Sequence, residues 1–348
     1  MTARAPEVLV LRALGLGDLL TALPALRALR RHWPSGRLTL ATQGWLAPLA
    51  AWLDVADEIV AVAPLVPLPP GVRADVAVNL HGSGPQSHGV LRALPGPPRL
   101  IAFACAEAGV SGPAWREDEH ERDRWCRLLT ASGIPADPRD LALPPPPGAA
   151  LPGPGAPVVL HPGASTGAKR WPAERFAAVA AALHDAGRAV VLTGSAPERP
   201  GALAVARRAG LPPSAVSAGR STPLELVRTV AEAAAVVSGD TGVAHLAVAL
   251  GRPSVTLFGP ADPARWGPPA GRPRHRVLWA GETGDPFAGH PHPGLLRIGV
   301  ADVLAALGEA EAAADGRPPA AALPQVPVGP AVPDPAGTPR SAGSTLSP

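Results

Sequence analysis

The most informative stretch of this chain is Ser-Gly-Asp-Thr-Gly-Val-Ala-His at residues 238–245, where an apolar strand gives way to a helix. Residues 235–238 have the composition of a buried strand, and residues 241–250 predict a helix. Asp240 then falls at the helix N-cap, where free N–H groups and the positive end of the helix dipole favour an anion. Because ligands collect at the carboxyl ends of parallel strands, we expect Asp240, Thr241, Gly242 and His245 to line a cleft. An isolated Asp-Thr-Gly would instead only cap its helix.

A second polar segment follows a predicted strand at residues 158–161 and precedes a helix that starts near Pro172. It offers glycines for close backbone approach, hydroxyls and cations, a combination suited to a diphosphate. Its candidate binding residues are His161, Gly163, Ser165, Thr166 and Lys169. Their order differs from that of a Walker A loop. Alone, this segment would be an ordinary basic surface loop, but the Asp-Thr-Gly turn in the same βαβ series favours the phosphate interpretation.

A third strand is predicted at residues 189–193, and it ends in Gly194 with Glu198 four residues later. An acidic residue just past a strand can accept hydrogen bonds from ribose hydroxyls, as in dinucleotide-binding folds. Glu198 could equally be a solvated residue at the start of a helix. Spacing alone favours neither interpretation.

The fourth segment follows a predicted strand at residues 8–11 and leads into a leucine-rich helix. Gly15 and Gly17 match the first two glycines of a dinucleotide-binding fingerprint, but Leu20 stands at the third position, which counts against NAD binding. Asp18 lies in the first turn of the predicted helix, where a carboxylate complements the helix dipole. If its side chain faces the cleft, Asp18 is a candidate general base.

Taken together, these segments resemble glycosyltransferase family 9, whose best-known members are ADP-heptose:lipopolysaccharide heptosyltransferases. The resemblance extends in the family's order from about residue 8 to residue 266. The matching motifs are Leu9-Val-Leu-Arg12, Leu16-Gly-Asp18, Thr21-Ala-Leu-Pro24-Ala-Leu-Arg27, His161-Pro-Gly163, Lys169-Arg-Trp171, Gly194 with Glu198, Ser238-Gly-Asp-Thr-Gly242 with His245-Leu246, and Phe258-Gly-Pro260 with Asp262-Pro263. The match is thinnest at residues 64–155, where Asn79 replaces the Asp of the family's Asp-Leu-x-Gly segment.

The resemblance implies a GT-B fold, in which two Rossmann-like α/β domains with parallel sheets face each other across a cleft. It also implies inverting sugar transfer without a metal or other cofactor. By this likeness Asp18 deprotonates the acceptor hydroxyl, Lys169 and the hydroxyl loop hold the diphosphate, and Glu198 holds the ribose. The Asp-Thr-Gly turn at 240–242 holds the donor sugar and phosphate.

The acceptor site is expected in the N-terminal part of the chain, where the family match is weakest. Arg12, His81 and Gly82 are the candidate acceptor-binding residues. The acceptor itself would be a glycan, a lipid-linked glycan or a small molecule, and the sequence does not distinguish among these.

Composition limits the function classes. The chain has 348 residues and a formal net charge of +3, and it has no basic patch interleaved with aromatic residues, so we expect no nucleic-acid partner. Cys105 and Cys126 lack metal-ligand spacing and are expected to be free thiols of a reducing compartment. His290 and His292 have no supporting carboxylate or cysteine cluster, and we expect no metal site. No secretory signal opens the sequence, and charged residues interrupt its apolar runs. We therefore expect a cytoplasmic protein, at most peripheral to the inner face of the membrane. We also expect it to be a monomer.

Proline and glycine mark the expected boundaries. An acceptor-binding domain is expected over residues 1–143, a Pro/Gly linker over 144–157, and a nucleotide-sugar-binding domain over 158–299. A C-terminal helix is expected at 300–314. Residues 315–348 are rich in Pro, Ala, Gly and Ser without apolar periodicity, and they are expected to be disordered.

The sequence therefore predicts a sugar transferase that uses ADP-heptose, the family's usual donor, or another nucleotide-diphosphate sugar. One alternative is a non-hydrolysing sugar-nucleotide epimerase, which would need acid/base groups on both faces of the sugar. Beyond Asp18, the first half of the sequence offers no clear second candidate. The other alternative is a non-catalytic sugar-nucleotide-binding protein, against which Asp18 argues.

Overall fold

The computed structural model describes residues 4–316, and the predicted disorder beyond residue 316 lies outside the described residues. The chain forms two parallel five-stranded sheets flanked by helices. This architecture confirms the predicted α/β fold class with two facing parallel sheets. No helix within the described range combines the length and the apolar character that a bilayer crossing requires.

The first half of the molecule contains the first sheet. Its strands are β1 (Glu7–Leu11), β2 (Arg37–Thr42), β3 (Glu58–Ala61), β4 (Val76–Asn79) and β5 (Arg99–Ile101). Its helices are α1 (Leu16–Thr21), α2 (Leu23–His32), α3 (Ala47–Trp52), α4 (Gln86–Arg92) and α5 (Glu121–Ala131). The strand order β3-β2-β1-β4-β5 follows the dinucleotide-binding pattern. That order reverses between β1 and β4, so a ligand crevice is expected beside the carboxyl ends of those two strands.

The second half contains the second sheet. Its strands are β6 (Val158–His161), β7 (Val190–Leu192), β8 (Ala235–Gly239), β9 (Ser254–Leu257) and β10 (His275–Leu278). Its helices are α6 (Ala173–Asp185), α7 (Arg199–Arg208), α8 (Pro223–Ala231), α9 (Gly242–Ala249), α10 (Pro263–Trp266), α11 (Pro293–Leu296) and α12 (Val300–Ala314). Its order, β10-β9-β8-β6-β7, is the flavodoxin-like one and reverses between β6 and β8. His161 at the end of β6 pairs with Ser238 of β8, which brings the two main sequence motifs side by side.

The N-terminal helical segment differs from the single helix that its leucines predict. It is divided at Ala22 into α1 and α2. Pro24 has no N–H to donate to the carbonyl one turn earlier, so the first helix ends and the second begins with proline in its first turn. The break leaves α1 as a short helix whose start faces the second half.

The two halves touch through glycines. A Cβ on Gly242, the first residue of α9, would lie 2.8 Å from the Cβ of Leu16 and 3.0 Å from the nitrogen of Gly17. A Cβ on Gly17 would lie 2.9 Å from Cδ2 of His245. Only residues without side chains allow this approach. One buried apolar cluster also runs from the leucines of α2 to Val243 and Leu246 of α9, so the halves share a core.

Candidate functional site

A cavity of about 730 Å³ lies between the halves, at the carboxyl ends of the strands. The first half contributes Gly15, Leu16, Gly17, Asp18 and Trp45 to its wall, and the second half contributes the rest. The predicted site residues that line it are Asp18, His161, Ser165, Lys169, Gly194, Glu198, Asp240, Thr241, Gly242 and His245. The fold thus brings residues from four separate sequence motifs to one cavity.

Lys169 and Asp240 form an ion pair in this cavity. The Lys169 Nζ lies 2.7 Å from Oδ2 of Asp240, and the Asp240 side chain is only 5% exposed. Asp240 was predicted to cap α9, but Thr241 occupies the N-cap position and Asp240 precedes it. The Asp240 carboxylate therefore turns to the lysine instead of to the helix N–H groups. The lysine keeps two further N–H donors for a ligand.

Glu198 lies at the start of α7, as the helix-start interpretation expected, and it also lines the cavity. Its Oε2 accepts hydrogen bonds from the Ser195 N–H at 2.7 Å and the Ser195 hydroxyl at 2.8 Å. Burial tends to raise the pKa of Glu198, but these hydrogen bonds outweigh it and the pKa is lowered. Burial lowers the pKa of nearby His161, whose Nδ1 shares a hydrogen bond with the Thr193 hydroxyl. The site therefore holds a charged carboxylate beside a neutral imidazole.

Asp18 projects from the first turn of α1 into the cavity with its side chain 29% exposed. One oxygen, Oδ2, accepts from the Gly15 N–H at 3.1 Å. The other, Oδ1, lies 3.3 Å from Nη2 of Arg12. A carboxylate held from behind but open to a cavity can accept a proton from a ligand hydroxyl.

His245 of α9 also reaches the cavity, and its ring lies edge-on to Trp266 with centroids 6.1 Å apart. Burial lowers the pKa of His245 to about 4, although the charges of Asp240 and Asp18 act in the opposite direction. The imidazole is therefore neutral at physiological pH, and it can donate one hydrogen bond and accept another.

Five predicted site residues lie outside the cavity wall. Thr166 donates its hydroxyl to the Pro286 carbonyl at 2.6 Å, and Gly163 packs against the Glu198 carboxylate. Arg12 is fully buried behind Asp18. His81 accepts from the Ala13 N–H, and Gly82 accepts from Asn79. The suggested acceptor roles of Arg12, His81 and Gly82 stay predictions, and the contacts of these residues here are with the protein.

Sequence reasoning missed several residues of the cavity wall. Trp45 lies just after β2 and is 51% exposed, with its indole N–H donated to Gln43. The other missed side chains include Ser217, Ser221, Thr222, Leu226 and Trp266. None belongs to a ligand-binding motif, although Thr222 and Glu225 form a capping box that the sequence displays. Within residues 4–316, no group of three or more His, Cys, Asp or Glu side chains is arranged to hold a metal ion.

Residues 149–285 match the family model described as glycosyltransferase family 9 (heptosyltransferase). The lipooligosaccharide heptosyltransferase 2 of Haemophilus influenzae is 39% identical over 108 residues, which are 29% of this chain and 31% of that relative. The alignment thus spans about a third of that relative's length.

Two solved structures have a similar fold along nearly the whole chain. The E. coli ADP-heptose lps heptosyltransferase II superposes with a TM-score of 0.70 at 23% identity, over 88% of this chain and 98% of that one. A glycosyltransferase family 9 protein of Veillonella parvula gives 0.71 at 20% identity, over 91% and 99%. These comparisons confirm the resemblance of this chain to glycosyltransferase family 9 that its motifs predict.

Proposed function

We propose that this protein is an inverting glycosyltransferase that moves a sugar from a nucleotide-diphosphate donor to an acceptor hydroxyl. One observation carries the proposal. A single cavity is lined by a carboxylate from the first half, Asp18, and by a cation, hydroxyls and carboxylates from the second half, among them Lys169 and Glu198. That arrangement matches the division between an acceptor-activating base and a donor-binding site.

The reaction follows from these positions. Asp18 accepts the proton of the acceptor hydroxyl while the acceptor oxygen bonds to the anomeric carbon of the donor sugar. The bond between that carbon and the phosphate oxygen breaks on the opposite face, and its electron pair leaves with the nucleoside diphosphate. Positive charge grows on the sugar and negative charge on the leaving group in the transition state. Attack opposite to the leaving group inverts the anomeric configuration.

The second half would stabilise the leaving group. Lys169, with Asp240 at 2.7 Å, has two N–H donors left for phosphate oxygens. Ser165 and the N-terminus of α9 lie on the same cavity wall and can donate further hydrogen bonds. Glu198 would accept from the ribose hydroxyls with the oxygen that Ser195 leaves free. His245 would contact the donor sugar as a neutral imidazole.

We propose ADP-heptose as the donor, because the E. coli protein with a similar fold is an ADP-heptose lps heptosyltransferase. The acceptor would be a hydroxyl of a lipopolysaccharide or lipooligosaccharide, because the names of two relatives contain these glycans. Another glycan or a small molecule is the alternative acceptor. The protein would act as a monomer in the cytoplasm or at the inner face of the membrane. We also propose that the acceptor-binding domain ends at residue 143 and that the nucleotide-sugar-binding domain begins at residue 158.

A panel of nucleotide sugars tests this function. We expect ADP-heptose to raise the thermal midpoint of the full-length protein and to be converted to ADP and a glycosylated product when an acceptor is present. The matched control is Asp18→Asn, which should still be stabilised by the donor but should form no product. Isotope exchange at a sugar C–H would show an epimerase instead, and donor binding without turnover by the wild type would show a binding protein.

A further inference from the structure

A cluster of charged side chains lies buried behind Asp18. Arg12, at the end of β1, has no exposed surface, and the side chain of Glu121 is 7% exposed. The Nη2 of Arg12 lies 3.1 Å from Oε1 of Glu121 and 3.3 Å from Oδ1 of Asp18. The Arg12 Nε also donates to the backbone carbonyl of Asp18 at 2.9 Å. One guanidinium therefore joins Asp18, by side chain and backbone, to a carboxylate that does not line the cavity.

Glu121 is held firmly in the first turn of α5. The indole N–H of Trp125 donates to its Oε1 at 2.9 Å, and Arg124 donates to its Oε2. The guanidinium of Arg12 lies over the Trp125 ring, 4.9 Å from its centroid. Arg124 is itself fixed by the backbone carbonyls of residues 116 and 119. Each group in the cluster thus has partners that restrict its rotamer.

The charges in this cluster balance. Two guanidiniums, Arg12 and Arg124, face two carboxylates, Glu121 and Asp18. Buried charges persist only when they are paired and hydrogen-bonded. Because Glu121 shares the Nη2 of Arg12, Arg12 does not act on Asp18 as a full unpaired cation. Asp18 is thereby held in place by a cation whose charge Glu121 offsets.

We infer that Glu121 is a positioning residue for Asp18, acting through the guanidinium of Arg12. This inference rests on the proposed transferase function. It explains why Arg12, although next to the cavity, is not exposed to it. Arg12 fixes the direction of the Asp18 carboxylate, and Glu121 fixes Arg12 and offsets its charge. Neither Glu121 nor Arg12 contacts the ligand.

Two more titratable groups face Asp18. His81, just past β4, and His245 of α9 both feel its negative charge. Burial lowers the pKa of each imidazole to about 4, so both are neutral in the pH range of an activity assay. A change in the acidic limb of the activity profile of a Glu121 variant would then not come from these two imidazoles.

The test compares Glu121→Gln with Glu119→Gln in the full-length protein. Glu119 lies two residues earlier, and its carboxylate pairs with Arg127 and not with Arg12. A displaced catalytic group can cost about a hundredfold in rate, so we expect Glu121→Gln to lower kcat by about ten- to a hundredfold. Binding of ADP, measured by calorimetry, should stay within about twofold. Glu119→Gln should keep the wild-type kcat.

The pH profile separates positioning from simple loss of structure. Without the negative charge of Glu121, Arg12 pairs with Asp18 alone and favours its ionised form. The acidic limb of the kcat/KM profile should therefore move to lower pH in Glu121→Gln. In Glu121→Asp, which keeps the charge but shortens the side chain, the limb should stay and kcat should recover in part.

The outcomes are distinct. A wild-type protein that converts no donor would overturn the proposed function, and this inference with it. An active wild type whose Glu121→Gln variant matches Glu119→Gln in kcat and in pH profile would overturn the positioning role alone. Reduced kcat together with lost ADP binding would also overturn it, because the damage would then extend beyond Asp18.

Discussion

The two halves of this molecule have similar architectures and unequal shares of the site. Both contain a five-stranded parallel sheet whose strand order reverses beside the cleft. The second half supplies most of the cavity wall, including every predicted donor residue that lines it, whereas the first supplies one carboxylate, one indole and a glycine-rich helix start. The family match, residues 149–285, lies within the second half and the segment that precedes it. The proposed donor site thus lies in the half that matches the family model, and the first half contributes few side chains to the cavity.

The two halves also treat charge differently. In the second half, Lys169 and Asp240 meet at the cavity surface, where a ligand can compete for them. In the first half, the ion pairs of Arg12 and Arg124 beside the cavity are buried, and Asp18 is the accessible member of that cluster. Accessible charges suit binding, and buried ones suit positioning. Substitutions in the first half should therefore affect turnover, and substitutions in the second should affect donor affinity.

The largest expected effect is that of Asp18→Asn. Loss of a general base typically costs about 10²–10⁴ in rate, and we expect that loss in kcat because Asp18 acts on the acceptor. ADP affinity should be nearly unchanged, since the groups expected to bind the nucleotide belong to the second half. Turnover of the purified variant within a few-fold of wild type would reduce Asp18 to a residue that complements the dipole of α1.

Lys169→Ala should have the next largest effect, and it should be on binding. A charge-assisted contact to phosphate is worth about 1.5–3 kcal/mol, or roughly ten- to a hundredfold in Kd for ADP. The variant also leaves the Asp240 carboxylate, 5% exposed, without its partner and facing the phosphates. Calorimetry with ADP measures the loss.

A double variant sharpens this result. Lys169→Ala combined with Asp240→Asn removes both charges, so part of the ADP affinity should return. Arg188→Ala is a suitable control, because Arg188 pairs with Glu311 in the same half and away from the cavity. Unchanged ADP affinity in Lys169→Ala would remove the lysine from the donor site.

Gly17→Ala should have a smaller effect, on the contact between the halves. The added Cβ would lie 2.9 Å from Cδ2 of His245, so the ring or α1 must shift. We expect kcat to fall by about tenfold, since small displacements of catalytic groups are costly, while ADP binding persists. Gly89→Ala is the matched control, because a Cβ on that helical glycine meets nothing within 4 Å. Equal activity of the two variants would show that the close approach is not needed for turnover.

The sequence was most informative where motif and strand end coincide. The run before His161 and the run before Asp240 are short, apolar and followed by polar turns, and both form strands that end at the cavity. The position of Lys169 at the cavity was predicted from its own loop together with the Asp-Thr-Gly turn of the same βαβ series. The pairing of Lys169 with Asp240 could not be predicted, because that contact depends on the adjacency of β6 and β8, which the chain order does not specify.

The ion pairs behind Asp18 could not be predicted from the sequence for a similar reason. Arg12 and Glu121 are far apart in the chain and meet because α5, which packs against α2, begins beside the end of β1. The acceptor role suggested for Arg12 stays a prediction, and in the structure its guanidinium donates to Asp18, Leu80 and Glu121. Trp45 was missed because a single tryptophan after a strand has no motif. The break between α1 and α2 could have been predicted from the sequence, because Pro24 favours the first turn of a new helix.

The smallest expected effect is on acid stability, and it differs between the halves. Burial, followed by the charges of Arg272 and Arg274, lowers the pKa of His275 in the second half from 6.5 to about 4. Burial and Arg12 lower the pKa of His81 in the first half to about 4 as well. The unfolded chain then binds more protons than the folded one between about pH 4 and 6.5. These two histidines should therefore leave the free energy of unfolding unchanged above about pH 6.5. They should lower it as the pH falls from 6.5 towards 4.

The two histidines should contribute unequally to this loss. A single fully buried group changes the free energy of unfolding by at most about 1.4 kcal/mol per pH unit in that window. His275 is 7% exposed and shares a hydrogen bond with the Ser254 hydroxyl, whereas His81 is half-buried, so solvent screens it more. We expect His275→Gln to flatten the dependence of the thermal midpoint on pH more than His81→Gln does. His290→Gln, at an exposed histidine of the second half, should leave the slope unchanged. A greater flattening by His81→Gln would mean that His81, in the first half, contributes more than His275 to the loss of stability in acid.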